Sequence, residues 1–479
     1  MNKSIIRFIL CRVLQFEGVF LLLPCVVALI YKEKEGYIFL MLALASFLLG
    51  TIGTFFKPAS NVFYAREGFV TVSLSWILLS LVGAVPFVVT GEIPNYVDAV
   101  FETVSGYTTT GSTILRDVEY LSMTTQFWRS FIIWIGGMGV LVFIMSILPL
   151  SGSHNMHLMR AESTGAEVGK LVPKVKNTAK ILYGIYITIS VAMVICLMIA
   201  GLNLYDSLLL MFSTVGTGGF TRTNASLGAF SHPVQVITIV FMIMCGVNFN
   251  AYFLIYIKKP KEIFKLEEVR AYFAIMFASF VAITVTILKL YPDFMSALHE
   301  ALFHTASIMT TTGFSISDYE LWPSFAKFIL IILTVIGASA GSTAGGIKVS
   351  RFLIMLKTLK RELDHLTHPR SVKKIRFNGQ AVSEETVKSV QSFMVAYIVI
   401  LIVSFLLISL NGFDFATNFS SVLTTLGNVG PGLSMVGPSK NFADYNELSK
   451  IVLSIDMLAG RLEIFPLLVL IYTGTWKRN

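Results

Sequence analysis

Four glycines of this 479-residue chain, Gly111, Gly219, Gly313 and Gly430, each stand six residues after a hydroxyl residue: Ser105, Ser213, Ser307 and Thr424. The tetrads that end on them are Thr108-Thr109-Thr110-Gly111, Gly216-Thr217-Gly218-Gly219, Thr310-Thr311-Thr312-Gly313 and Gly427-Asn428-Val429-Gly430. Such runs offer neutral oxygen, from backbone carbonyls throughout and hydroxyls where threonine occurs, and no charged ligand. A ring of these oxygens can replace the hydration shell of a cation. Successive carbonyls can face one axis if some residues adopt backbone angles that a Cβ disfavours, which glycine does without steric cost. The chemistry these tetrads support is coordination of a partly dehydrated cation, and they are not identical, so one chain would make one pseudo-fourfold pore.

The elements that must position them are legible around each tetrad. The segments are "DAVFETVSGYTTTGST" (98–113), "DSLLLMFSTVGTGGFT" (206–221), "EALFHTASIMTTTGFS" (300–315) and "TNFSSVLTTLGNVGPGLS" (417–434). All are too short and too polar to cross a bilayer core of about 30 Å, which takes about 20 helical residues. Thirteen positions before the glycine stand Asp98, Asp206, Glu300 and Thr417, residue types that satisfy or complement the free N–H groups at a helix start. Each copy therefore reads as spanning helix, re-entrant half-helix, polar loop, spanning helix. Non-helical backbone at membrane depth cannot face lipid, so the four loops meet one another around water or ions. The half-helices aim partially negative C-terminal ends at that centre, which favours a cation and excludes an anion. Gly and Thr also occur as small residues that let membrane helices pack, a reading that suits one such segment but not four in one register.

Composition agrees with a membrane-embedded chain: 55% hydrophobic and 14% charged residues, with a mean hydropathy of +0.74. Apolar runs predict ten spanning helices near 8–30, 37–56, 69–91, 125–149, 180–201, 232–257, 271–290, 325–357, 391–410 and 447–475. The first two stand outside the repeat, which gives residues 1–68 as two N-terminal transmembrane helices and 69–150 as pore repeat 1. Residues 151–257, 258–360 and 361–479 form repeats 2, 3 and 4, with cytoplasmic loops leading into repeats 2 and 4. The predicted fold is an all-α polytopic membrane protein with four pseudo-symmetric helix/pore-helix/helix repeats around one central pore. The opening apolar run is longer than a signal peptide's and lacks an A-x-A-like cleavage site, which predicts a retained helix.

The net charge of +9 does not indicate nucleic acid, because the basic residues fall in alternate connections: Lys3 to Arg12, Lys57 with Arg66, 160–180, 258–270, 348–388 and the C-terminus. The positive-inside rule places both termini and these loops in the cytoplasm. The loops 151–180, 258–270 and 358–390 are charged and helix-compatible, suited to docking a regulator or to plain solvation. Cys11, Cys25, Cys196 and Cys245 lack the spacing of a disulfide framework or a zinc site.

Beneath the predicted filter, "VIGASAGSTAGGIKVSR" (335–351) interrupts the second helix of repeat 3. Gly337, Gly341, Gly345 and Gly346, with Ser339, Ser342 and Thr343, make continuous helix costly at about 1 kcal/mol per glycine relative to alanine. The segment predicts a break able to move as a gate, with a small-residue packing face through Gly337, Gly341 and Gly345 as the alternative. Arg461 falls midway along the last predicted span, where a lone charge needs water or a partner. Asp456 and Glu463 are not at helical spacing for it, so it either projects into the pore or pairs with another helix.

The four loops "TTTGST", "TGGFT", "TTTGFS" and "GNVGPG", with "MLAGRLEIFPLL" near the end, resemble the Trk/Ktr/HKT superfamily of potassium transporters over essentially the whole chain. The two extra N-terminal helices and the length resemble its TrkH/TrkG branch. The resemblance implies a potassium-translocating subunit of the bacterial inner membrane, homodimeric and surrounded by lipid, working with a cytosolic RCK-type nucleotide-binding regulatory subunit (TrkA-like). It implies K+ as the transported ion, no organic cofactor, an intramembrane gate loop at 337–346 and a pore-facing Arg461. In plant relatives, Ser at the first-repeat glycine goes with sodium permeation, so Gly111 fits the potassium-preferring pattern. A sodium- or proton-coupled carrier is the alternative class, yet Asp98, Asp206 and Glu300 fall at predicted half-helix starts rather than at mid-membrane. An intramembrane enzyme is disfavoured because His304 and Ser307 recur as a pair in no other repeat.

Overall fold

The computed structural model describes residues 1–58, 60, 63–139, 175–371 and 373–477. Helices α1 (Lys3–Phe20) and α2 (Leu22–Tyr31) run nearly end to end, and α3 (Glu35–Phe55) folds back along them. Each repeat then has a long first helix: α4 (Ala65–Val89), α7 (Val175–Ile199), α11 (Glu267–Ile287) and α15 (Glu384–Ile408). The re-entrant helices are α5 (Tyr96–Tyr107), α8 (Leu204–Val215), α12 (Phe294–Met309) and α16 (Phe415–Leu426). At 1.5 Å per residue, the 12-residue copies reach about 18 Å, roughly half a membrane.

The second helices depart from expectation. Among the described residues, six stretches are long and apolar enough to cross a membrane unbroken: Lys3–Tyr31, Glu35–Phe55, Ala65–Val89, Lys180–Ile199, Glu267–Leu290 and Glu384–Asn411. The spans expected at 232–257, 325–357 and 447–475 are each broken. In repeat 2, α9 (His232–Gly246) meets α10 (Phe249–Tyr256) at 90°. In repeat 3, α13 (Ser324–Ile336) stops and α14 (Val349–Thr367) resumes after a non-helical stretch, while in repeat 4 α17 (Glu447–Arg461) gives way to α18 (Phe465–Ile471). The repeat 1 counterpart, α6 (Met123–Gly137), ends near the same level, and the remainder of the expected 125–149 span lies outside the described residues. A break foreseen in repeat 3 alone is thus a feature of repeats 2, 3 and 4. Its physical reason is that backbone released from the helix ladder is used elsewhere: the Gly341 carbonyl accepts from Phe249 N at 2.9 Å, and Gly246 O accepts from Ser339 N at 3.1 Å.

The helix starts need correction in repeat 3 alone. The caps of the half-helices are Asn95, Asn203, Asp293 and Asp414, each accepting a backbone N–H of the first turn. Asp98, Asp206 and Thr417 stand three residues inside, and Glu300 lies in the second turn because α12 begins earlier than its counterparts. Asp98 and Asp206 instead pair with Lys450 at 2.7 Å and Arg222 at 3.4 Å. Part of the loop expected to be helix-compatible at 358–390 forms a hairpin, β1 (Arg376–Phe377) with β2 (Gln380–Ala381). Asn378 and Gly379 at φ 51° and 78° make the tight turn that an Asn-Gly pair favours. Most of the 151–180 loop lies outside the described residues.

Candidate functional site

All four half-helices end in the same way. Thr109, Thr217, Thr311 and Asn428 are left-handed, at φ 54°, 57°, 55° and 53°. The next residue's N–H bonds back to the carbonyl of the hydroxyl residue recognised from sequence: Thr110 to Ser105, Gly218 to Ser213, Thr312 to Ser307 and Val429 to Thr424, each at 2.8 Å. With the bonds from Thr109, Thr217, Thr311 and Asn428 to the third residue before each, at 3.0–3.1 Å, this is a Schellman termination in fourfold copy. The Ser/Thr position therefore serves through its backbone carbonyl. The hydroxyls of Ser105 and Ser213 have no hydrogen-bond partner among the described residues.

A β-branched residue in the left-handed region is strained, by about 1–3 kcal/mol for each such position. Two residues later the chain is left-handed again, at Gly111, Gly219, Gly313 and Gly430, with φ 82°, 67°, 80° and 102°. This repeated alternation turns successive carbonyls inward. The ring closes in order: a Cβ on Gly111 would run into the Gly218 carbonyl, one on Gly219 into Thr312, one on Gly313 into Val429, and one on Gly430 would lie 2.6 Å from the Thr110 oxygen. The four glycines also line one cavity of about 150 Å³ that opens outward. Among the described residues, only the Ser112 hydroxyl, at 3.2 Å from Gly430 O, donates a hydrogen bond to any carbonyl of residues 109–111, 217–219, 311–313 and 428–430. Thr109, Thr217, Thr311 and Asn428 are fully buried. Buried carbonyls without partners are costly.

Of the hydroxyls expected as further ligands, most bond within the protein, and that of Thr109 has no partner among the described residues. Thr108 and Thr110 share a hydroxyl contact of 2.8 Å, as do Thr310 and Thr312, and Thr311 Oγ1 accepts the Gly345 N–H at 2.6 Å. In repeats 2 and 4 the space of the first threonine is taken by the preceding repeat's second helix. A Cβ on Gly216 would lie 2.7 Å from Ile133, and one on Gly427 3.2 Å from the Thr334 oxygen. The likeness of repeats 1 and 3, against 2 and 4, is thus a packing matter. Asn428 ties repeats 4 and 1 together, donating at 2.9 Å to Thr110 Oγ1 and to the Met457 carbonyl.

Directly beneath lies the non-helical stretch 337–348. Gly337, Gly341 and Gly346 have φ 69°, 67° and 78°. Gly345 packs against Gly427 and Asn428 too closely for a side chain, and Ser342 Oγ donates to Ser339 O at 2.6 Å. Glu268, read from sequence as part of a solvated loop, is buried and holds this stretch: it accepts from Ala340 N at 2.6 Å, Ser350 N at 3.2 Å and Asn248 Nδ2 at 3.1 Å. Arg461 meets no carboxylate of Asp456 or Glu463. Asp456 accepts from Ser404 at 2.6 Å, and Glu463 pairs with Arg351. The Arg461 guanidinium donates to the Thr343 carbonyl at 2.7 Å, the Gly137 carbonyl at 2.7 Å and the Gly136 carbonyl. Both glycines end α6, where a cation is favoured by the helix dipole. Repeats 1 and 3 are opposite in the ring, so Arg461 reaches across beneath the filter.

A second buried ion pair escaped the sequence reading. Glu102 accepts from Arg129 Nε at 2.7 Å and from Ile114 N at 3.0 Å, while Arg129 lies 3.6 Å over the Phe220 ring and donates to Thr221 O at 3.0 Å. It fastens the filter exits of repeats 1 and 2 to each other. The signal was an acid and a base within apolar segments, but no spacing rule pairs residues so far apart. Glu102→Ala leaves Arg129 buried without its carboxylate, with an expected stability loss of about 3–5 kcal/mol. Thermal unfolding in detergent checks this against the exposed control Glu362→Ala; equal midpoints would contradict it.

The four loops thus form a ring with the 337–348 stretch and Arg461 packed beside it. The family described as TrkH, cation transport protein, matches residues 38–474. The sequence is 36% identical to the Trk system potassium uptake protein TrkH of Vibrio parahaemolyticus over 99% of each chain. It is 32% identical to the Trk system potassium uptake protein TrkG of Escherichia coli over 100% of each. The crystal structure of the potassium transporter TrkH from Vibrio parahaemolyticus superposes with a TM-score of 0.89 at 34% identity, covering 100% of both chains. On that full-length match, this chain belongs to the TrkH family of cation transport proteins, integral membrane transporters rather than enzymes.

Proposed function

We propose that the chain conducts potassium into the cell through a filter built from the backbone carbonyls of residues 109–111, 217–219, 311–313 and 428–430. The observation that carries this reading is the closed ring of left-handed, largely buried loops whose carbonyls take, among the described residues, one protein donor, Ser112. Such carbonyls stand in for the waters that an entering K+ gives up, and the names of the relatives support the choice of ion. Below the filter, the 337–348 stretch and Arg461 act as the gate. Sealed by hydrogen bonds from Arg461 to Thr343, Gly136 and Gly137, the path opens when a cytosolic RCK-type nucleotide-binding subunit pulls on the helices that continue from the breaks. The functional unit is a homodimer in the bacterial inner membrane with cytoplasmic termini, each protomer carrying its own pore.

Tracer flux through the purified chain in liposomes tests the reading. Uptake of potassium and rubidium, with little sodium uptake and no requirement for an imposed proton gradient, is expected. Uptake that depends strictly on a proton or sodium gradient would favour a coupled carrier instead.

A further inference from the structure

Glu17 lies in the last turn of α1, at the middle of the Lys3–Tyr31 helical stretch outside the fourfold repeat, and is fully buried. Its two carboxyl oxygens accept from the Tyr107 hydroxyl at 2.8 and 2.7 Å. Among the described residues no cation and no second donor reaches it. An acid at membrane depth without a counter-ion persists only if its one contact is useful. Tyr107 is the last residue of α5, adjoining the Thr108-to-Gly111 strand of the filter. The contact passes through a window in α4: a Cβ on Gly83 would sit 3.1 Å from Glu17 Oε1, from Thr103 Cγ2 and from Tyr107 Cε2.

The other side of Tyr107 faces the gate. Its carbonyl occupies the space where Gly136 would carry a side chain, and the Gly136 carbonyl receives Arg461. One continuous line of contacts therefore runs from Glu17 through Tyr107 and Gly136 to Arg461. At the positions equivalent to Tyr107, the other repeats have Val215, Met309 and Leu426, which have no polar group to hold.

We infer that Glu17 is a positioning residue for the conduction pathway: its carboxyl fixes the end of α5, and so the first filter strand and the Gly136 carbonyl that anchors Arg461. The two N-terminal helices thus act on selectivity in repeat 1 rather than serving as a passive anchor. This role in selectivity rests on the conduction reading; the physical link does not.

Full-length protein in lipid nanodiscs tests both, using Glu17→Ala, the isosteric Tyr107→Phe, and Glu17→Gln, which keeps an acceptor oxygen. Amide exchange at residues 105–111 should rise about tenfold in Glu17→Ala and Tyr107→Phe, with no change at 307–313. In both variants the potassium-to-sodium permeability ratio should fall about fivefold. Glu17→Gln should stay within about twofold of the parent on both measurements, and the double variant should lose no more than either single one. Unaltered exchange at 105–111 overturns the link. Raised exchange with an unchanged ratio overturns its role in selectivity. A parent protein that does not discriminate between the ions contradicts the conduction reading, while the exchange result still decides the link.

Discussion

Replacing Gly111 by Ser is expected to lower the preference for potassium over sodium by roughly tenfold or more, equivalent to about 1.4 kcal/mol or more. Two effects combine at this residue. At φ 82° a side chain is disfavoured by about 1–2 kcal/mol, and the added Cβ would run into the Gly218 carbonyl of the neighbouring repeat. That carbonyl belongs to the ring itself, so the collision displaces one of the carbonyls proposed to hold the ion. Gly91 separates the two effects: it has φ 79° but nothing within 4 Å of where a Cβ would stand. Gly91→Ser should leave the permeability ratio unchanged. Reconstituted flux with both ions is the check, and a Gly111→Ser protein that matches the parent would count against the ring. Because contacts run from each glycine to the next repeat, Gly219→Ser and Gly313→Ser should behave as Gly111→Ser does.

Arg461→Ala is expected to raise cation flux through the unregulated protein by about an order of magnitude, and deletion of residues 339–345 to raise it further. The guanidinium holds a positive charge between opposite repeats, on the proposed path of the ion, and unit charges about 4 Å apart at an effective dielectric of about 20 repel by about 4 kcal/mol. Its removal also frees the Thr343, Gly136 and Gly137 carbonyls to face the path. The deletion removes Thr343 and the Gly345 N–H held by Thr311, so the constriction loses both its partner for Arg461 and its fastening to the filter. Tracer flux in liposomes, on protein that elutes as the parent does, is the measurement. Unchanged or reduced flux in Arg461→Ala contradicts the gate.

The fourfold loop geometry was legible in the sequence because its requirement is local. At Gly111, Gly219, Gly313 and Gly430 a left-handed backbone coincides with the carbonyl of a neighbouring repeat where a Cβ would stand, which requires glycine and marks the register although the flanking residues differ. The hydroxyl six residues earlier was a true marker with a different cause, since the carbonyl of Ser105 and its counterparts does the anchoring. The helix starts were legible to within the first turn at Asp98, Asp206 and Thr417; Asn95 and Asp98 are both acceptable near an N-terminus, and only geometry separates a cap from a third helical residue.

The breaks in the second helices were legible in repeat 3 alone, where Gly337 to Gly346 are concentrated. In repeats 2 and 4 one turn of ordinary residues, Val247-Asn248 and Leu462-Glu463-Ile464, interrupts apolar runs that read as continuous. Arg461 announced itself as a charge in an apolar span, but its partners are backbone carbonyls, which carry no sequence signature. Glu17 was equally visible as an isolated acid, yet nothing in the order of residues joins it to Tyr107, 90 positions away.

Anomalous diffraction from crystals of the protein grown in rubidium or thallium salt tests the central claim most directly. Peaks on the axis between the carbonyls of Thr110, Gly218, Thr312 and Val429 are the predicted result, diminished in Gly111→Ser. No peak within that ring, with ordered filter strands, would contradict the assignment of these carbonyls as the ion's ligands.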